Sequence, residues 1–155
     1  MKKISGGIAI LLATVLLPVA LHAQTYVLDK KIAVPGDGGY DYLSIDHVNN
    51  RLYVSHGTAV NVIDLATEQP VGVIDDMKGV HGIAIDNKHN KGFISDGRAN
   101  AVVAFDLKTL KKIATIPVDA QGPDAIMYDP YSEKVFSFNG ESNNSSVVDP
   151  VTLKQ

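Results

Sequence analysis

The sequence contains no cysteine and no tryptophan, and only 6% of its residues are aromatic. Without thiols there is no disulfide framework, no thiolate zinc site, no iron–sulfur cluster, no cysteine nucleophile and no lipid-bearing cysteine. The same lack leaves the compartment open, because a thiol-free chain suits oxidising and reducing spaces alike. Positive charge is also scarce: 14 Lys and Arg stand against 17 Asp and Glu, for a net charge of −3. That balance makes nucleic acid an unexpected partner, since sequence-independent binding needs a basic surface. What is present is the composition of an ordinary globular chain, 45% hydrophobic and 20% charged over 155 residues, enough for one small domain.

The N-terminus carries the information about compartment. Lys2 and Lys3 precede an apolar run from Ile8 to Leu21, broken by Thr14 and Pro18, and Ala23 then stands before Gln24. This is the layout of a cleavable secretory signal peptide over 1–23, cut after Ala23. The run is shorter than the ~20 residues a bilayer span requires, so no membrane span is expected in the mature chain. Its expected location is periplasmic or secreted, and loss of Lys2 and Lys3 makes the remainder more acidic.

The remaining chain repeats itself. Tyr40–Asp46 followed by Arg51–Gly57 lines up with Val80–Asp86 followed by Lys91–Gly97, and with Pro123–Asp129 followed by Lys134–Gly140. Asp46, Asp86 and Asp129 are 40 and 43 residues apart, and Asp64, Asp106 and Asp149 are 42 and 43 apart. Within each repeat the runs are short, β-branched or aromatic, and bounded by Gly, Asn, Asp or Pro, which predicts strands and turns. In the second repeat four strands are expected, over about His81–Ile85, Lys91–Ser95, Ala101–Phe105 and Lys111–Pro117. A period of about 40–45 residues with four strands is that of propeller blades. The expected fold is therefore all-β, a β-propeller with blades over about 40–77, 80–119 and 123–155. Inner-strand apolar residues such as Leu43, Ile83, Ile85 and Ile126 should be buried between sheets. An immunoglobulin-like sandwich would not repeat its turn residues in register.

The stretch from Phe93-Ile94-Ser95-Asp96 through Asn100-Ala101-Val102 to Phe105-Asp106 resembles the YVTN β-propeller repeat. Phe136 to Asp149 fits it with Asn139 and Asn143 on the two Asn positions, and Tyr53 to Asp64 fits with a shortened spacer. The chain thus resembles YncE-like, YVTN-repeat proteins over nearly all of its length after the signal segment. The resemblance implies an exported or surface-associated seven-bladed ring, in a family mostly without assigned activity. Similar blades occur in nitrous oxide reductase, the haem d1 domain and the quinoprotein amine dehydrogenase β chain. Three blades fill this sequence, whereas closed rings have about four to eight. Lys30–Pro35 resembles the outer strand at Lys111–Pro117, so an orphan outer strand is expected over about 26–35. Asp149–Gln155 matches the approach to a further outer strand. The expectation is an N-terminal part of a longer propeller, prone to self-association through its uncovered sheets.

Strand direction then places the polar residues. Asp41, His81 and Asp124 begin the innermost strands, and His56, Asp96 and Asn139 sit in the hairpins between second and third strands. All six should share one face, called here the upper face, with the first three nearest the axis and the second three farther out. Carboxylate, imidazole and amide groups in a polar funnel suit a cation, a sugar or a peptide. These six are the candidate ligand-binding residues, for a small molecule or a protein on that face. Asp96-Gly97 and Asn139-Gly140 are also ordinary hairpin chemistry. The Asp-x-x-Thr triplets at Asp64, Asp106 and Asp149 read as turn caps, and His47 and His89 as solvated turn residues. No Ser/His/Asp order, His-Glu-x-x-His motif or nucleotide fingerprint appears. Accordingly no catalytic residue, metal ligand or cofactor is assigned. The expected function is a ligand- or protein-binding scaffold. The alternative is a lactonase- or quinoprotein-like enzyme with a metal or cofactor in the central channel.

Overall fold

The computed structural model describes residues 26–155. The signal segment expected over 1–23 lies outside them. The chain divides into two units, Met1–Lys31 and Ile32–Gln155. Of the first, residues 26–31 are irregular and exposed.

The second unit is all-β. Its strands are β1 (Tyr40–Asp46), β2 (Arg51–His56), β3 (Ala59–Asp64), β4 (Gln69–Ile74), β5 (Val80–Asp86), β6 (Lys91–Asp96), β7 (Ala101–Asp106), β8 (Lys112–Pro117), β9 (Pro123–Asp129), β10 (Lys134–Asn139) and β11 (Asn144–Val148). They form three antiparallel meanders in the orders β1-β2-β3-β4, β5-β6-β7-β8 and β9-β10-β11. After β11 the backbone makes one further bridge, Asp149 to Lys154. Among the described residues the only helix is a single 3₁₀ turn at Gly97–Ala99. No helix there is long and apolar enough to cross a membrane. The segment for which an orphan outer strand is expected, 26–35, carries no strand.

The three sheets stack face to face through two apolar layers. Alternation along each strand sends one set of side chains to each neighbour. Between the first and second sheets lie Val60, Val62 and Ile74 on one side and Ile83, Val103 and Phe105 on the other. Tyr53 and Phe105 meet there at 5.7 Å between ring centroids. Between the second and third sheets lie Phe93, Val102, Ala104 and Ile116 against Val135 and Val148, with Ile126 and Tyr128 at the margin. Gly92 is required by this packing, because a β-carbon there would stand 2.1 Å from the Phe105 ring.

One part of the expected core is corrected. Ile83 is buried and Ile85 and Ile126 are partly so, but Leu43 is 62% exposed and Ile45 50%. Both sit on the face of the first sheet that points away from the second, where no further sheet among the described residues covers them. Met127, Phe138 and Val147 are likewise exposed on the far face of the third sheet.

The turns explain the repeat. Asp64 Oδ1 accepts from the backbone N–H of Ala66 and Thr67 and from the Thr67 hydroxyl, and Asp106 holds Lys108 and Thr109 in the same way. Asp149 accepts from Val151 and Thr152. Each such turn contains one left-handed residue, Glu68, Leu110 or Leu153. The inner hairpins do the same at Asn50, Asn90 and Glu133. Asn tolerates positive φ, and at Glu68, Leu110, Glu133 and Leu153 the caps hold the turns closed despite residue types that disfavour it.

Candidate functional site

The innermost strands β1, β5 and β9 lie side by side, and each has the same defect at its start. In β1 the pairing with β2 slips between Tyr40 and Leu43; in β5 it slips between Val80 and Ile83. In β9 the slip falls between Pro123 and Ile126. Two residues of the inner strand therefore stand opposite one of its partner, which defines a β-bulge. The residue opposite is a fully buried serine in the first two blades, Ser55 and Ser95, and the half-exposed Phe138 in the third. Both serine hydroxyls satisfy the backbone the bulge frees: Ser55 Oγ donates to Tyr42 O at 3.0 Å, and Ser95 Oγ accepts from Gly82 N at 2.8 Å. Ser95 also donates to Asp124 O on the next sheet. Bulges bend a strand and re-aim its side chains. The first bulged residues are Asp41, His81 and Asp124.

The three side chains converge. His81 Nδ1 lies 2.7 Å from Asp41 Oδ2 and 3.9 Å from Asp124 Oδ1. A carboxylate oxygen accepts, so Nδ1 carries the hydrogen in this arrangement. One ligand atom from each residue falls within 4.8 Å of the other two. All three remain in contact with solvent, at 42%, 36% and 50% exposure for Asp41, His81 and Asp124. The opposite ring nitrogen, Nε2, is turned towards Gly97, where an added β-carbon would approach it to 2.7 Å. A cleft of about 480 Å³ opens beside the trio, lined by Asp41, His81, Tyr40, Arg98, Thr58 and Asp37 among others.

The outer three candidates are placed differently. His56, Asp96 and Asn139 are 4%, 3% and 2% exposed. His56 stacks on Tyr40 at 4.3 Å and its Nε2 meets Gly38 O at 3.2 Å. Asp96 accepts from the backbone N–H of Lys78 and Gly79, the latter at 2.8 Å. Asn139 donates to Asn144 Oδ1 and pairs with Ser146 and Ser137 hydroxyls. These side chains tie loops to strands; Asn139 lines a small recess with Asp124, and none of the three bonds to the inner trio. On the opposite face His89, expected to be solvated, donates from Nδ1 to the buried Asp86 at 2.6 Å, whereas His47 is exposed.

The turn caps are among the carboxyls held below their ordinary range, as are Asp76 beside the Lys112 ammonium and Glu133 beside that of Lys88. The Thr67 N–H beside Asp64, the Thr109 N–H beside Asp106, and the Thr152 N–H with the Lys134 ammonium beside Asp149 hold these groups low. Burial pushes Asp46 up, but bonds from Asn49, Asn87 and Val48 outweigh it and its pKa is lowered.

Tyr40, Arg98 and Gly97 are features of the site that residue-type reasoning missed. Part of their signal was present: a serine at one repeat position, Ser55 and Ser95, marks the first two bulges, and residues around those bulges make the cleft.

No family model matches the chain. Over 65 residues it is 38% identical to Antigen Lp49 of Leptospira interrogans, a match covering 42% of this chain and 14% of the antigen. Among solved structures, Kuenenia stuttgartiensis hydrazine synthase superposes with a TM-score of 0.70 at 15% identity, covering 83% of this chain and 38% of that one. The β-propeller domain of Swd1 (Cps50) from Myceliophteria thermophila superposes at 0.62 with 14% identity, covering 74% and 37%. The fold is thus that of a β-propeller, here as about three blades, and the chain spans a minor part of each of these proteins.

Proposed function

We propose that this chain is part of an exported, YVTN-repeat, YncE-like β-propeller that acts as a non-enzymatic binding scaffold, holding a small molecule or a protein segment on its upper face. The observation that carries this reading is the convergence of Asp41, His81 and Asp124 from three successive blades, beside a cleft that Asp41 and His81 line. Each residue comes from a separate bulge, an arrangement that stacking the blades does not require. A solvent-open cleft with an exposed tyrosine, a guanidinium and carboxylates offers both a flat apolar contact and charged partners to a polar ligand. Propellers concentrate such groups where the inner strands begin, because those strands are closest to the axis. Export is supported by the order of charged, apolar and small residues over 1–23.

The test is a thermal-shift screen of the purified protein in chelator-containing buffer against monosaccharides, amino acids, dicarboxylates and short peptides. One chemical class should raise the melting temperature of the wild type and fail to do so in His81→Ala. A shift that survives in His81→Ala would move the site elsewhere and overturn this reading. Export is tested by cell fractionation with N-terminal sequencing, the mature chain starting at Gln24.

A further inference from the structure

We propose that Asp41 Oδ2, His81 Nδ1 and Asp124 Oδ1 form the protein-borne part of a binding site for a borderline divalent cation of the Zn²⁺ class. The inference deepens the binding reading above and rests on it. Zn²⁺ takes imidazole nitrogen and carboxylate oxygen at about 2.0–2.2 Å, which sets neighbouring donors roughly 3–3.5 Å apart. The observed separations from His81 Nδ1, 2.7 and 3.9 Å, bracket that value, and all three donor atoms lie within 4.8 Å of one another, so modest side-chain adjustment would bring them to one ion.

The direction of the imidazole is the second, independent observation. Its Nε2 is turned to Gly97, against which a β-carbon would stand at 2.7 Å. An Asp–His pair that relays protons keeps one ring nitrogen on the carboxylate and presents the other to substrate. Here the presented nitrogen is the one between the two carboxylates. Nδ1 is thus aimed at the point where a cation would bind both oxygens, and the tautomer with hydrogen on Nε2 frees it to do so.

Charge balance points the same way. Two carboxylates flank one imidazole nitrogen, and among the described residues no Lys or Arg forms an ion pair with either. Arg98 lines the adjoining cleft without joining them. One nitrogen and two oxygens, with no thiolate, fit a borderline ion better than Ca²⁺ or Mg²⁺, which take six or more oxygens or keep most of their water. Three protein ligands on an exposed wall leave a coordination position for water or for an incoming ligand, as in open sites and unlike closed structural ones.

The experiment is isothermal titration of the chelator-treated protein with ZnCl₂, CaCl₂ and MgCl₂, in parallel with His81→Ala, Asp41→Asn and Asp124→Asn. One Zn²⁺ per chain is expected, with Ca²⁺ and Mg²⁺ weaker by more than about tenfold and a loss of at least that size in each variant. The variant His47→Ala/His89→Ala should bind as the wild type does. Circular dichroism reports whether each variant is folded. Where one is not, ring ¹⁵N shifts of wild-type His81 decide the matter: Zn²⁺ should move Nδ1 and leave Nε2 protonated. Zn²⁺ binding that survives in folded His81→Ala, Ca²⁺ binding tighter than Zn²⁺, or no Zn²⁺ uptake by the folded wild type would each overturn the proposal. Failure here with a His81-dependent thermal shift from an organic ligand would refute the cation and leave the scaffold reading standing. Failure of both removes both.

Discussion

Gly97 lies against the His81 imidazole so closely that a β-carbon added to it would stand 2.7 Å from Nε2 and 3.0 Å from Pro123 O. The small residue that closes the second blade's hairpin therefore also sets the angle of the ring at the centre of the site. Hairpin and inner strand are coupled here by contact alone.

Gly97→Ala tests that coupling. The Gly97 backbone does not require positive φ, so the added methyl acts by crowding alone. Overpacking of this kind costs about 1–3 kcal/mol. The expected result is a modest fall in melting temperature together with displaced His81 ring resonances by NMR. Unchanged ring resonances would show that the imidazole is positioned by Asp41 alone.

Asp96 and Asp124 should separate structure from site. Asp96→Ala removes a buried carboxylate that accepts from Lys78 and Gly79 N–H. Bonds to charged groups contribute about 1.5–3 kcal/mol, and urea unfolding should register a loss of that order. Asp124→Ala removes a half-exposed group and should change stability by no more than about 0.5 kcal/mol. The reverse order would mean that the inner trio holds the blades together.

The turn caps make stability depend on acid. The folded-state pKa values of Asp64, Asp106 and Asp149 are lowered, by backbone N–H bonds first. A carboxyl of depressed pKa adds stability that is complete above its unfolded value, about 3.9, and is lost as pH falls through the folded value. Melting temperature should thus hold from pH 7 to about pH 5 and fall below about pH 4. In Asp149→Asn, which cannot ionise, the acid-side fall should be shallower.

The uncovered sheets should control self-association. Leu43 and Ile45 on the first blade and Met127, Phe138 and Val147 on the third are exposed on outward faces, and exposed apolar patches of this kind drive association. Leu43→Ser with Phe138→Ser should lower the apparent mass by light scattering while leaving the melting temperature nearly unchanged. Association that persists unchanged would place the contact elsewhere, at a strand edge.

Much of this was legible in the residues because it is local. Turn caps at Asp64, Asp106 and Asp149 need only residues two and three positions on. Strand positions followed from alternation between turns, and Val80–Asp86 to Lys112–Pro117 in the second blade fall within a residue or two of expectation. Three residues at one repeat position must share a face, whatever their identity, so Asp41, His81 and Asp124 group together from the repeat alone.

What the tertiary structure decided was which of these positions meet a partner. Alternation distinguishes the two faces of a strand but does not say which face another sheet covers; Leu43 and Ile83 look alike in sequence, and only the stacking of the second blade separates them. His56, Asp96 and Asn139 read as exposed hairpin residues, yet neighbouring loops and strands fold over them and take up their hydrogen bonds. The 2.7 Å approach of His81 to Asp41 likewise depends on two bulges in separate sheets. By itself the sequence determined the repeat, the strands, the caps and the shared face, since each depends on residues close together in the chain. Burial, aim and distance belonged to the fold, because they depend on atoms a whole blade away.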